Sequence, residues 1–254
     1  MLVPRRIGLV VPSSNTTMET EIPALLRAWE AQGGPGRFTF HGARMRMKKV
    51  TPEELLAMDA QAAGCAGHLA DAQCDALAYA CLVAVMVQGP GAHAAVGERL
   101  RAATREAGCE APVVTSAGAI VEEVKAAGYR RVSLIAPYVP ELTRVVRAYI
   151  EGAGVEVVDA ISLSVSDNCA VGRLPPMDLV GLARDRLQVK GADAVVLSSC
   201  VQMPSLEALA PAEQATGLPC LSAAAATTRS LLRALKLPLR LSGYGSFLDR
   251  PEEG

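Results

Sequence analysis

Two cysteines stand at matching places in two halves of this chain, each just past an apolar run. In the first half, Asp75-Ala76-Leu77-Ala78-Tyr79-Ala80 leads into Cys81-Leu82-Val83. In the second, Asp193-Ala194-Val195-Val196-Leu197-Ser198-Ser199 leads into Cys200-Val201-Gln202. A single cysteine past a strand is most often a packing residue, because cysteine is among the most buried residue types. Packing gives no reason for both halves to put one at the same point. Two thiols facing one cleft suit a reaction in which one sulfur is nucleophile or base and the other is acid. Cys65, Cys74, Cys109, Cys169 and Cys220 have no such counterpart and read as packing residues.

The elements that must carry these thiols follow from the alternation of short apolar runs with longer amphipathic stretches, the pattern of an α/β fold with parallel strands. Strands are expected at 7–11, 38–43, 76–80 and 112–115, and again at 132–136, 155–163, 194–198 and 219–222. Helices are expected at 18–31, from Thr51 to before Cys74, and at 91–107, 122–127, 141–151, 178–190 and 227–235. Thr51, Pro52 and Glu54 form a capping-box signature at the second of these. The repeat extends beyond the cysteines. Arg5-Arg6-Ile7 matches Arg130-Arg131-Val132, and Pro112-Val113-Val114-Thr115 matches Pro219-Cys220-Leu221-Ser222. Two similar lobes are therefore expected, each a parallel four-stranded sheet flanked by helices, related by a pseudo-twofold axis. The site would lie in the cleft between them, at the C-terminal strand ends. Lobe one would be 1–116, completed by a returning segment 221–254, and lobe two 117–220.

Polar groups converge on that cleft. Pro12-Ser13-Ser14-Asn15-Thr16-Thr17 follows the first strand, Tyr138 the fifth, and Ser166-Asp167-Asn168 the sixth. Neither thiol is accompanied there by Lys, Arg or His, so an anionic ligand would be held by N–H groups, amides and hydroxyls. The Ser13–Thr17 cluster also suits helix capping. Cys65, His68 and Cys74 offer a zinc alternative, but they lack a Cys-x-x-Cys pair and a fourth ligand, so no metal is expected.

The 254 residues carry a formal net charge of −1, and half are hydrophobic. No basic stripe argues for nucleic acid. The cations of Arg44-Met45-Arg46-Met47-Lys48-Lys49 alternate with methionine and read as a loop or helix approach. No apolar stretch nears the roughly 18 residues of a membrane span, and no export signal is read at the start. Seven cysteines, an odd number, fit free thiols in a reducing cytoplasm.

The segments 11–23, 44–51, 79–84, 136–138 and 200–205 together resemble the maleate cis-trans isomerases of the aspartate/glutamate racemase superfamily, along nearly the full length. The resemblance implies cofactor-independent isomerisation of maleate to fumarate by a homodimer, with a place in nicotinate degradation. It implies Cys81 as nucleophile and Cys200 as proton donor. Asn15, Tyr138 and Asn168 would contact the substrate carboxylates, with Ser14 a possible addition. The backbone N–H groups of Leu82, Val83, Val201 and Gln202 would cradle them. Racemases of the superfamily follow their cysteines with Asn-Thr and Thr-His, whereas Leu82-Val83 and Val201-Gln202 stand here, without ligands for an α-ammonium group. Arylmalonate decarboxylases keep only the second cysteine, so Cys81 argues against that activity. A two-lobed small-dicarboxylate binding protein with passive thiols is the non-enzyme alternative. If the enzyme reading holds, the thiols are expected to be partly exposed and lowered in pKa beside N–H donors, with Cα atoms more than about 7 Å apart.

Overall fold

The computed structural model describes residues 3–251. The first half of the chain opens with β1 (Arg5–Pro12), α1 (Met18–Ala31), β2 (Phe38–Met45), α2 (Pro52–Asp59) and α3 (Ala62–Asp71). It continues with β3 (Ala76–Tyr79), α4 (Leu82–Met86), α5 (Ala92–Glu106), β4 (Val113–Thr115) and α6 (Ser116–Ala126). The second half follows as β5 (Arg131–Ala136), α7 (Pro140–Gly152), β6 (Glu156–Ser162), α8 (Asn168–Val171) and α9 (Asp178–Asp185). Then come β7 (Ala194–Ser198), α10 (Leu206–Thr216), β8 (Cys220–Ser222), α11 (Ala223–Ala234) and α12 (Ser246–Asp249).

The strand orders, β2-β1-β3-β4 and β6-β5-β7-β8, are the same order twice, and every pairing is parallel. β3 and β7 are buried along their whole length, as a central parallel strand with helices on both faces must be. The repeated aspartate has a mechanical reason. Asp75 Oδ2 accepts the Arg6 N–H at 2.6 Å, and Asp193 Oδ2 accepts those of Arg130 and Arg131 at 2.8 Å, so each aspartate ties the entry of its third strand to the first.

The two lobes differ by one residue between aspartate and cysteine. Ile7 pairs with Ala76 as Val132 pairs with Ala194, and Leu77 with Val113 as Val195 with Cys220. The extra residue of lobe two is absorbed by a register shift between Val196 and Ser198.

The expected helix from Thr51 is two helices, α2 and α3. The Gln61 side chain turns at the break to bond the backbone of Arg46, through Arg46 N–H at 2.9 Å and Arg46 O at 3.4 Å. Nor does Glu54 close the capping box. Thr51 Oγ1 accepts the Glu54 N–H at 3.4 Å, but the Glu54 carboxylate takes the N–H groups of Lys48 and Lys49 instead. α6 and α11 begin directly at strand ends, where Thr115 and Ser222 side chains accept the N–H groups of Gly118 and Ala225. α11 packs on α1, α6, β3 and β4, and Trp29 Nε1 donates to Pro238 O at 2.9 Å. The last residues of the expected returning segment, 252–254, lie outside the described residues.

Candidate active site

At the C-terminal ends of the strands an enclosed cavity lies between the lobes. Pro12, Asn15, Cys81, Leu82, Val83, Tyr138, Asn168, Cys200, Val201 and Gln202 line it, together with Met47 and Val50. The sequence singles out every one of these except Met47 and Val50; Ser14 stands back from the wall, as do Ser13, Thr16, Thr17, Ser166 and Asp167 of the polar groups expected at the cleft. Ser14 Oγ accepts a hydrogen bond from Asn168 Nδ2 at 2.9 Å, and its carbonyl accepts one from Gln202 Nε2 at 3.2 Å.

Cys81 is the last residue before α4 and holds φ 131°, ψ 82°. A side chain with a Cβ rarely adopts a positive φ of this kind, and such positions persist only where the surroundings enforce them. Here β3 must turn at once into α4, in the lobe with one residue fewer than its counterpart. The turn aims the thiol into the cavity beside Leu82 and Val83, whose N–H groups, at the start of α4, have no carbonyl one turn back within the helix. Cys200 follows the longer β7 and is absent from the positive-φ residues. Its loop is fixed internally: Ser198 Oγ donates to Cys200 O and Met203 O, and Met203 N–H to Cys200 O.

Both thiols are nearly closed off, Cys81 being 8% and Cys200 7% exposed. The structure therefore overturns the expectation of partly exposed thiols with lowered pKa. Burial pushes Cys81 up to about 12, against the Ala84 N–H, and negative charge on Cys200 or Asp59 would raise it further. Burial also raises Cys200, but the Tyr138 hydroxyl and the N–H groups of Gln202 and Met203 oppose the rise. The Gln202 N–H lies 3.4 Å from Cys200 Sγ, so it serves the sulfur instead of standing free toward the cavity. Cys200 thus has three donors about its sulfur against one at Cys81.

The amides are oriented by their neighbours. Asn15 Oδ1 accepts the Met18 N–H at 3.0 Å, which leaves its Nδ2 for the cavity. Arg44, on β2, holds the same loop by donating to Ser13 O and Asn15 O at 3.1 and 3.0 Å, and pairs with Glu19. Ser13 Oγ donates to Met47 O and accepts the Met47 N–H, which carries Met47 over the cavity. The basic segment thus supplies wall and scaffold. Its signal in the sequence was the methionines between the cations. The rim is closed by the Val50 N–H donating to Ser166 O at 3.3 Å and an antiparallel bridge between Lys49 and Asp167.

Gln202 contributes its side chain to the lobe boundary. Its Oε1 accepts the N–H groups of Thr16 and Thr17, and its Nε2 donates to Ser14 O and Asn168 O. A Cβ at Gly172 would lie 2.4 Å from Gln202 Nε2 and would displace that amide. Among the described residues no group of three or more His, Cys, Asp or Glu side chains could hold a metal ion, and Cys65, His68 and Cys74 form none.

The family model for arylmalonate decarboxylase matches residues 7–248. A maleate isomerase of Alcaligenes faecalis is 52% identical over 244 residues, 96% of each chain. The solved maleate isomerase of Pseudomonas putida S16, a cysteine-to-alanine variant with maleate, superposes with a TM-score of 0.96 at 47% identity, over 99% of this chain and 100% of that one. The Nocardia farcinica maleate cis-trans isomerase, a cysteine-to-serine variant with a covalently bound succinylcysteine intermediate, gives 0.93 at 45% identity, over 97% and 99%. With half its residues shared along almost its whole length, and the same two-lobed fold, the chain belongs to the maleate isomerase family.

Proposed function

We propose that this protein isomerises maleate to fumarate through a covalent succinyl adduct on Cys81, with Cys200 as proton donor. The observation that carries the proposal is the pair of buried thiols at equivalent strand ends, facing one cavity. The covalent succinylcysteine of the Nocardia farcinica relative supports it.

The chemistry balances within the pair. Cys81 Sγ, as thiolate, forms a C–S bond to one alkene carbon while the neighbouring carbon takes the proton from Cys200 Sγ. The former double bond is now a single bond and rotates. The Cys200 thiolate removes a proton from that carbon, the double bond re-forms, and sulfur leaves as the Cys81 thiolate. The negative charge passes from Cys81 to Cys200 and back. The Tyr138 hydroxyl and the Gln202 and Met203 N–H groups favour it on Cys200 at mid-reaction. The carboxylates would be met by Asn15, Asn168, Tyr138 and the N–H groups of Leu82, Val83 and Val201. No Lys, Arg or His is among the lining residues, so neutral donors would hold the dianion. No acidic side chain lines the cavity either, which leaves an amino-acid racemase without a partner for an α-ammonium group.

We take the lobes as 1–116 with 221–254, and 117–220. The packing of α11 on α1, β3 and β4 supports the return of the tail. A cytoplasmic homodimer acting in nicotinate degradation is proposed on the family and on seven cysteines without a disulfide. Among the described residues no helix is long and apolar enough to cross a membrane.

The test is fumarate formation from maleate by the purified protein, with arylmalonate decarboxylation measured in parallel. Cys81→Ser should lose at least roughly 10³-fold in turnover, since a hydroxyl adds poorly to an alkene. Decarboxylation without fumarate, or full activity in Cys81→Ser, would overturn the proposal.

A further inference from the structure

Beside the cavity, each lobe satisfies the start of a helix in the other. α1 has no capping side chain at Thr17, and Gln202 from lobe two accepts the Thr16 and Thr17 N–H groups at 2.9 and 3.2 Å. α10 has none at Ser205. There the Glu21 carboxylate, one turn into α1, accepts the Ser205 N–H at 2.6 Å, the Leu206 N–H at 2.9 Å and the Ser205 hydroxyl at 3.1 Å. Oε1 takes both N–H groups and Oε2 the hydroxyl, so a glutamine with its NH₂ toward the hydroxyl would keep all three contacts, whereas an alanine leaves both N–H groups without this acceptor.

Glu21 is buried and, among the described residues, makes no ion pair, so these donors are what offset the cost of burying it. Their consequence reaches Cys200. The segment Cys200–Ser205 is tied to lobe one at Gln202 and again at Ser205, and lobe one is where Cys81 sits. Because the hydroxyl of Ser198 and the Met203 N–H fix the loop's internal shape, releasing Glu21 would shift the loop as a unit instead of unfolding it.

We propose that Glu21 is a positioning residue, which holds the Cys200–Ser205 loop, and so the Cys200 sulfur, in register with Cys81 across the lobe boundary. The proposal rests on the thiol-pair mechanism above. A misplacement of about 1 Å can cost about 10²-fold in rate. Glu21→Ala should therefore lower kcat by about 10- to 100-fold, with KM, which also draws on the Val201 N–H of the same loop, changing by less. Glu21→Gln, which keeps the acceptor for both N–H groups, should recover most of the loss.

Iodoacetamide with peptide mass mapping gives a readout independent of substrate: in Glu21→Ala, Cys200 should be alkylated faster and Cys81 at the wild-type rate. Should Glu21→Ala fold poorly, Ser205→Ala removes one of the three bonds and should move kcat and Cys200 alkylation in the same directions, by less. Unchanged kcat, a loss carried by KM, or equal acceleration of alkylation at both cysteines would overturn the proposal. A wild-type protein that forms no fumarate would refute the isomerase proposal instead, and the alkylation pattern would still decide the role of Glu21.

Discussion

Replacing Cys81 once by alanine and once by glycine separates the backbone strain at this position from the chemistry of its sulfur. Both variants lose the thiol, so the difference between them reports the Cβ alone. At φ 131°, ψ 82° a residue with a Cβ carries about 1–3 kcal/mol of strain. These angles lie outside the left-handed helical well, which favours the upper half of that range. Against the relief, glycine gives up about 0.5–1 kcal/mol in unfolded-chain entropy and about 0.8 kcal/mol for one buried carbon. The balance puts Cys81→Gly above Cys81→Ala by about 1 kcal/mol, or about 2–4 °C in Tm for a chain of this size. Without strain the order reverses, with glycine less stable by about 1.5 kcal/mol. Urea and thermal unfolding of the two variants, side by side, give the sign. An alanine variant more stable than the glycine variant by about 1.5 kcal/mol would show that the turn into α4 stores no strain at the nucleophile.

Burial raises both thiols, Cys81 to about 12, and the thiolate is the reactive form, so activity is lost as pH falls. kcat/KM, which reports the free enzyme, should rise close to tenfold per pH unit from about pH 7 to about pH 9; a plateau already at neutral pH would contradict the buried-thiol geometry. Glu123, 2% exposed, accepts from Arg229, Ser230 and Arg233 and so ties α6 to α11. Glu123→Ala leaves Arg229 buried without its carboxylate and should cost about 3–5 kcal/mol in urea unfolding, whereas a loss below 1 kcal/mol would refute that weight. Cys169 is the exposed thiol of the seven. Brief alkylation of the unliganded protein should label it first; earlier labelling of Cys81 or Cys200 would mean that the cavity is open.

The strands were legible because a parallel strand buried on both faces must be a continuous apolar run, as in 76–79 and 194–198. The thiol pair was legible because duplication turned a weak signal into a repeated one. α10 was not, because its start is capped by Glu21 from 184 positions away in the chain and Pro211 interrupts its interior. α6 and α11 begin several residues before their apolar periodicity, where Thr115 and Ser222 convert strand directly into helix. The ionisation of the thiols was misread for a related reason. Local N–H donors can be inferred from neighbours in the chain, whereas desolvation comes from Met47, Val50 and Tyr138 arriving from other elements.

The central claim is that a carbon–sulfur bond forms on Cys81. Incubating Cys200→Ala with maleate, and mapping the modified peptide by mass spectrometry, tests it most directly. With its proton donor removed, this variant should slowly accumulate one maleate-sized addition, located on Cys81, while producing almost no fumarate. An addition on any other cysteine, or wild-type fumarate production by the variant, would contradict the account.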